Sequence, residues 1–237
     1  MGGERILIIQ NDFTESLGIY QEHLKKRNAV LHVLHAYKML ENDQFPSLHS
    51  YDAFIVGPTP ISANDVMKYD YLAKEWDYLT RVIQSGKPCL GICCGGQILA
   101  RILGAKVVRS PEKEVGGYTV ELTDDGAMDY LFQGFPLKFP VFHWHTDMFQ
   151  IPDGGKKLAV GEVCPIQSFG VGNVRGVIFH LEITCDEATR WAEAYPEELI
   201  AVRKTREAVI KECRSNEPEM RRLSEKLMIN FIQMIQR

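Results

Sequence analysis

The stretch KPCLGICCGGQILARILGA, Lys87 to Ala105, constrains this chain more than any other. It reads as a short apolar strand, a sharp turn carrying a cysteine, and a helix. Gly91 stands two residues before Cys93 and Gly95 two after it. A nucleophile on a strained strand-to-helix turn needs small neighbours at those offsets, because larger side chains collide across the bend; elbows that carry a serine obey the same constraint. The following helix aims its free N–H groups and positive dipole end at the sulfur, which favours thiolate. Cys93 is therefore the candidate nucleophile. With Cys94 at the apex, β-branched Ile92 would fill the tight position, so Cys94 is read as the donor of a backbone N–H to an oxyanion. Gln97 lies one turn into the helix. Its Cβ tilts toward the N-terminus, so its amide can point back beside the sulfur, the alternative being an exposed helical glutamine.

The rest of the chain must supply the partners of that cysteine. At 237 residues it can bury a full core as one domain with an appendage. A net charge of −4 gives no reason to expect nucleic acid or an anionic membrane as partner. The opening MGGERILIIQND has too short an apolar run for a signal peptide or a spanning helix, and the expected setting is cytoplasmic. The six cysteines are then expected to be reduced, mostly buried thiols. Structural zinc is the rival, but Cys89, Cys93 and Cys94 lack paired C-x-x-C spacing.

Along the chain, strands are expected at Arg5–Gln10, Ala29–His35 and Tyr51–Val56. Helices are expected around Ser16–Arg27 and from a cap at Asn64 or Asp65 to about Ser85. Strands alternating with helices imply right-handed crossovers, and so an open, mostly parallel α/β sheet with helices on both faces. Ligands bind such sheets at the carboxyl ends of the strands, where the elbow sits. After Lys106 the pattern is richer in β, with strands at Glu114–Thr123 and Val174–His180 and a turn at Gly172-Asn173. Beyond Cys185 the chain is charged and helical. Leu223, Leu227, Phe231, Met234 and Ile235 recur at helical spacing, which predicts a tail packed on the body; a partner-recognition helix is the alternative.

A cysteine that attacks an amide needs a base, a group to orient it, and oxyanion donors. Among seven histidines, His180 closes the apolar run GVIFH, with Glu182 at i+2. Alternate residues of a strand share a face, so the carboxylate can reach the imidazole and fix its tautomer. The bland alternative is a capped strand end with a surface ion pair. In FHWHTDMF, His145 and Asp147 also stand at i+2, and His143 adds a third potential metal ligand. No second ligand cluster supports that site, and the segment is read as lining the pocket or packing beneath it.

These residues resemble a known family. GICCGGQ is similar to the Gly-x-Cys-x-Gly-x-Gln signature of class I (triad) glutamine amidotransferases, and FHLE to their Phe-His-Pro-Glu. The order cysteine, histidine, glutamate is the same. YDAFIVGPTPISAND resembles the strand and oxyanion loop, and VCPIQSFG resembles stand-alone members similar to the amidotransferase domain of GMP synthase. The resemblance implies a flavodoxin-like α/β domain over residues 1–185 and a C-terminal helical extension, 186–237, packed on it. It implies a cysteine amidase that hydrolyses glutamine or a γ-glutamyl amide through a γ-glutamyl thioester, with no cofactor and no metal. Cys93 would be the nucleophile, His180 the base and Glu182 its orienter. Gln97 would bind the glutamyl group, helped by the backbone of Trp144, Thr146 and Asp147. A separate ammonia-accepting synthetase subunit is the implied macromolecular partner; a free-standing γ-glutamyl hydrolase and a weakly active binding or regulatory protein are the alternatives. The chain departs from the family at Pro58-Thr59, where glycines are usual. Pro58 has no N–H, so only Thr59 could donate there, and Thr59 resists the positive φ that glycine accepts. Thr146 replaces a common glycine and Leu181 a proline.

Overall fold

Arg5–Gln10 (β1) shows how the sheet is built. Successive side chains of a strand point to opposite faces. Ile6 and Ile8 accordingly enter one apolar cluster, and Leu7 and Ile9 another. The sheet is thus covered on both sides. In the computed structural model, which describes residues 3–236, the first face is covered by Gly18–Lys26 (α1), through Tyr20 and Leu24, and by a long helix near the C-terminus. Met1, Gly2 and Arg237, the outermost residues of the two expected segments, lie outside the described residues.

The remaining strands are Val30–His35 (β2), Ala53–Val56 (β3), Cys89–Ile92 (β4), Val107–Leu122 (β5), Lys138–Phe149 (β6), Lys156–Gly161 (β7), Ser168–Val171 (β8) and Val174–Val177 (β9). They form one sheet in the order β2-β1-β3-β4-β9-β8-β7-β5-β6. Neighbours from β2 to β9 are parallel and those from β9 to β6 antiparallel. The parallel half holds the elbow; the β-rich later sequence builds the antiparallel half. Asp70–Gln84 (α2) and Cys94–Ile102 (α3) cover the second face through Leu72, Tyr78, Leu79, Ile98 and Leu99.

Several expected boundaries move: the strand expected at Glu114–Thr123 runs from Val107 to Leu122, and two further boundaries shift because a side chain or backbone group finds another partner. The helix expected from Asn64 or Asp65 begins at Asp70, after a single 3-10 turn at Val66–Lys68. Asn64 spends its amide on the Val107 carbonyl, 3.1 Å away, and Asp65 pairs with Lys68 at 2.7 Å, so neither caps the long helix. The last strand stops at Val177, short of His180. Beyond it the Ile178 N–H turns to the Gln167 carbonyl, and His180 pairs instead with Phe142 of β6 through backbone hydrogen bonds of 3.0 and 2.8 Å.

Short helix Asp124–Ala127 (α4) follows β5, and the tail forms Cys185–Ala194 (α5), Pro196–Ala201 (α6) and Arg206–Ile235 (α7). Leu223, Leu227, Phe231 and Met234 of α7 are buried in the first core, with Ile235 packed at its edge. The Asn230 amide fixes the helix by donating to the Leu131 and Gln133 carbonyls, both at 2.9 Å. Among the described residues no helix is long and apolar enough to cross a membrane.

Candidate active site

Strands β4 and β9 are parallel neighbours, with Ile92 opposite Val177, so the loops leaving their carboxyl ends start side by side. Cys93 is the first residue past β4, and its N–H donates to the Val177 carbonyl at 2.8 Å. Its backbone takes φ 49° and ψ −114°, a conformation that costs a β-carbon residue of order 1–3 kcal/mol and that the surrounding contacts enforce. The two glycines make the bend possible. A Cβ at Gly91 would come within 2.5 Å of the Gly96 nitrogen, and one at Gly95 within 2.3 Å of the Val56 carbonyl oxygen. Both obstacles are backbone, which cannot swing aside. The Gln97 N–H closes the first turn of α3 onto the Cys93 carbonyl at 3.1 Å. The amides of Cys94 and Gly95 therefore point outward from the helix end with no hydrogen-bond partner among the described residues.

His180 and Glu182 lie behind the sulfur, both fully buried. The imidazole Nδ1 is 2.6 Å from Glu182 Oε1. Burial by itself lowers the His180 pKa, but the Glu182 charge and the hydrogen-bonding reach of Cys93 and Glu182 overturn it and hold the ring well above its ordinary value. Nε2 closes no hydrogen bond of ordinary geometry among the described residues. Besides Glu182, Cys93 also acts on the ring. Cys94 differs. Its thiol donates to the Ile61 carbonyl at 3.1 Å, and burial, with the neighbouring Cys93, pushes its pKa well above the ordinary range.

A cleft of about 450 Å³ opens at the sulfur. Thr59, Cys94, Gln97, Trp144, Thr146 and Asp147 all line it, so every expected site residue meets there except His180 and Glu182, which are walled off behind Cys93. Gln97 reaches across and donates through Nε2 to the Asp147 carbonyl at 3.0 Å. The Trp144 carbonyl lies 3.9 Å from the Cys93 sulfur. The Asp147 carboxylate turns aside to the Ser62 hydroxyl at 3.0 Å. Thr59 avoids the left-handed region, and its N–H has no acceptor among the described residues; its hydroxyl accepts the Ile61 N–H at 3.3 Å. The loop has therefore adopted a path that a non-glycine residue tolerates.

The rival metal reading of His143, His145 and Asp147 meets a different arrangement. Register places Glu114 of β5 opposite His145, and His145 Nε2 lies 3.0 Å from Glu114 Oε2. Cys164 joins them, the three offering donor atoms within 4.8 Å of one another. This is the set among the described residues that could hold a metal ion. The Glu114 carboxylate accepts the Gln167 amide at 3.2 Å and lies beside His145, while the Cys164 thiol donates to the Ile166 carbonyl at 3.4 Å.

Several residues of the site escaped the sequence reading, among them Glu15, Arg109, Tyr195 and Glu198. Glu15, in the loop between β1 and α1, lines the cleft at 6% exposure. Burial raises its pKa to about 7 against the pull of His180. Tyr195 and Glu198, from the helical extension, complete the rim.

The geometry has relatives. Residues 9–191 match the family Glutamine amidotransferase class-I. The chain is 34% identical over 145 residues to the glutamine amidotransferase-like protein YfeJ of Salmonella typhimurium, covering 60% of this chain and 61% of that one. It is 35% identical over 103 residues to one subunit of the glutamine-hydrolysing GMP synthase of Thermococcus kodakarensis, covering 42% and 53%. The matched stretch thus spans less than two thirds of either relative. A solved glutamine amidotransferase from Thermotoga maritima superposes with a TM-score of 0.88 at 27% identity, covering 98% of this chain and 100% of that one. With the family matched across most of its length, the chain is a member of the class-I glutamine amidotransferases.

Proposed function

We propose that this protein is a cysteine hydrolase that cleaves the γ-amide of glutamine or of a γ-glutamyl amine through a γ-glutamyl thioester. Family membership supports chemistry on the glutamine amide in general. The observation that carries the finer reading is the strained backbone of Cys93 at the head of α3, with the His180–Glu182 pair closed at 2.6 Å behind it. The sulfur attacks the amide carbon, and the developing oxyanion is received by the Cys94 N–H and the Thr59 N–H. Imidazolium His180 gives its proton to the leaving nitrogen as the C–N bond breaks, and ammonia or an amine departs. His180 then takes a proton from water, whose oxygen attacks the thioester; the C–S bond breaks, glutamate is released and the thiol is restored. Glu182 holds the ring for both transfers. Gln97 and the backbone of Trp144, Thr146 and Asp147 grip the α-amino end. A reducing setting such as the cytoplasm suits a free catalytic thiol.

The Thermococcus relative is a subunit by name; ammonia from this chain would by analogy pass to a separate synthetase subunit, or an amine would leave freely. A second reading, a weakly active binding or regulatory protein, draws on Pro58, which offers no N–H to the oxyanion. Ammonia, amine and glutamate release from glutamine and a set of γ-glutamyl amides separates the two. Turnover that vanishes in Cys93→Ala and His180→Ala is expected. Binding without turnover would establish the second reading, and activity lost in His145→Ala but kept in His180→Ala would reassign the base.

A further inference from the structure

Charge around the sulfur bears on which amine can leave. Four carboxylates line the cleft: Glu15, Asp65, Asp147 and Glu198. Three have cationic partners, Asp65 with Lys68 at 2.7 Å, Asp147 with Arg109 at 3.7 Å, and Glu198 with Lys113. Glu15 has none within 4.0 Å among the described residues, although it is 6% exposed. Its position is fixed from below: the Asp12 carboxylate accepts the N–H groups of Thr14 at 2.7 Å and Glu15 at 3.2 Å. A buried carboxylate with no cation in direct contact is costly, and a cation placed in the adjoining cavity offsets that cost.

The side of the cleft follows from His180. In the proposed mechanism this residue hands its proton to the leaving nitrogen, so that nitrogen must face it. Glu15 lines the cleft together with Tyr195 of the rim, and burial raises its pKa against the downward pull of the His180 charge. The glutamyl end is expected on the other side, at Gln97 and Asp147, which are joined at 3.0 Å. At about 450 Å³ the cleft falls in the range that houses ligands larger than a single amino acid.

We propose that the cleft selects γ-glutamyl amides whose leaving amine carries a second, positively charged group, such as the γ-glutamyl amides of diamines, and that Glu15 pairs with that charge. The inference rests on the hydrolase reading. It disfavours γ-glutamyl dipeptides, because their leaving amine carries a carboxylate that would face Glu15.

The test compares kcat/KM for three γ-glutamyl amides of similar length: those of 1,4-diaminobutane, butylamine and 4-aminobutyrate. The diamine amide should exceed the butylamine amide by about tenfold to a hundredfold, the span of a charge-assisted hydrogen bond, and the 4-aminobutyrate amide should be poorest. Glu15→Gln should collapse the diamine preference, chiefly through KM. A wild-type ratio near one overturns the inference even if Glu15→Gln does not fold, and so does a preference that survives the substitution. If no amide is cleaved, the hydrolase reading falls by itself. Calorimetric titration of Cys93→Ala with the diamine and butylamine amides then decides selectivity, equal affinities overturning it and tighter binding of the diamine amide supporting it.

Discussion

The indole of Trp191 meets the imidazole of His180 edge to face, with ring centroids 5.0 Å apart and planes at 88°. Trp191 belongs to α5, in the helical extension, and its Nε1 donates to the Thr14 carbonyl at 3.2 Å in the loop that carries Glu15. One residue of the extension thus braces both the proposed base and the loop beside it. Trp191→Ala should cost about 3–5 kcal/mol of stability through the cavity it leaves, with turnover falling as His180 gains freedom. Trp191→Phe should lose only about 1 kcal/mol, the missing hydrogen bond, and keep more of the activity. Denaturant titration and kcat check both. Full turnover in folded Trp191→Ala would show that the brace is unnecessary.

Cys93 should be the thiol that reacts. Cys94 donates to the Ile61 carbonyl at 3.1 Å, and burial pushes its pKa well above the ordinary thiol range, so little of it ionises near neutrality. Brief treatment with iodoacetamide followed by peptide mass spectrometry should place the adduct on Cys93. Cys94→Ala should leave labelling in place and Cys93→Ala should abolish it. An adduct found first on Cys94 would reverse the assignment.

The elbow was legible because its constraint is local and steric: Gly91 and Gly95 announce a bend in which a Cβ would meet backbone at 2.5 and 2.3 Å. His180 and Glu182 were legible because an i+2 pair survives a change of context. The strand expected to carry them ends at Val177, yet the pair still closes, because Phe142 takes over the backbone pairing of His180. Glu15, Tyr195 and Glu198 were not legible. Their places on the cleft depend on how a distant helix and an early loop meet across the sheet, and no spacing in the sequence encodes that meeting. The Asn64 cap failed for a like reason, since its amide prefers the Val107 carbonyl to a helix end.

The pH profile should move when Glu182 is changed. Burial lowers the His180 pKa, and Glu182 and Cys93 more than restore it, so the ring stays protonated above its ordinary range. The imidazolium is the form that protonates the leaving nitrogen, so kcat/KM should fall on the alkaline side as that proton is lost. Glu182→Gln removes the charge while the burial remains, and the alkaline limb should shift to lower pH. Activity should drop with it, because the tautomer and orientation of the ring are no longer held. A limb that stays in place in Glu182→Gln would mean another group sets it.

Stability should depend on pH through Glu75 of α2, which is fully buried. Asn11 Nδ2 donates to its Oε1 at 3.0 Å, while Oε2 has no partner among the described residues. Burial raises its pKa from 4.5 to about 8, against the opposing hydrogen bond from Asn11. Between those values the unfolded chain gives up the proton and the folded chain keeps it. The unfolded state then binds fewer protons, so this residue makes stability fall as pH rises from about 4.5 to about 8 and level off above. Glu75→Gln removes that contribution and should stabilise the protein at pH 8 relative to pH 5 by on the order of a few kcal/mol. The quantity to measure is the difference in Tm between variant and wild type across this span. The raised pKa of His180 also erodes stability with rising pH, but it is common to both proteins and cancels in the difference. A difference that does not grow with pH would show that Glu75 ionises in the fold as it does in water.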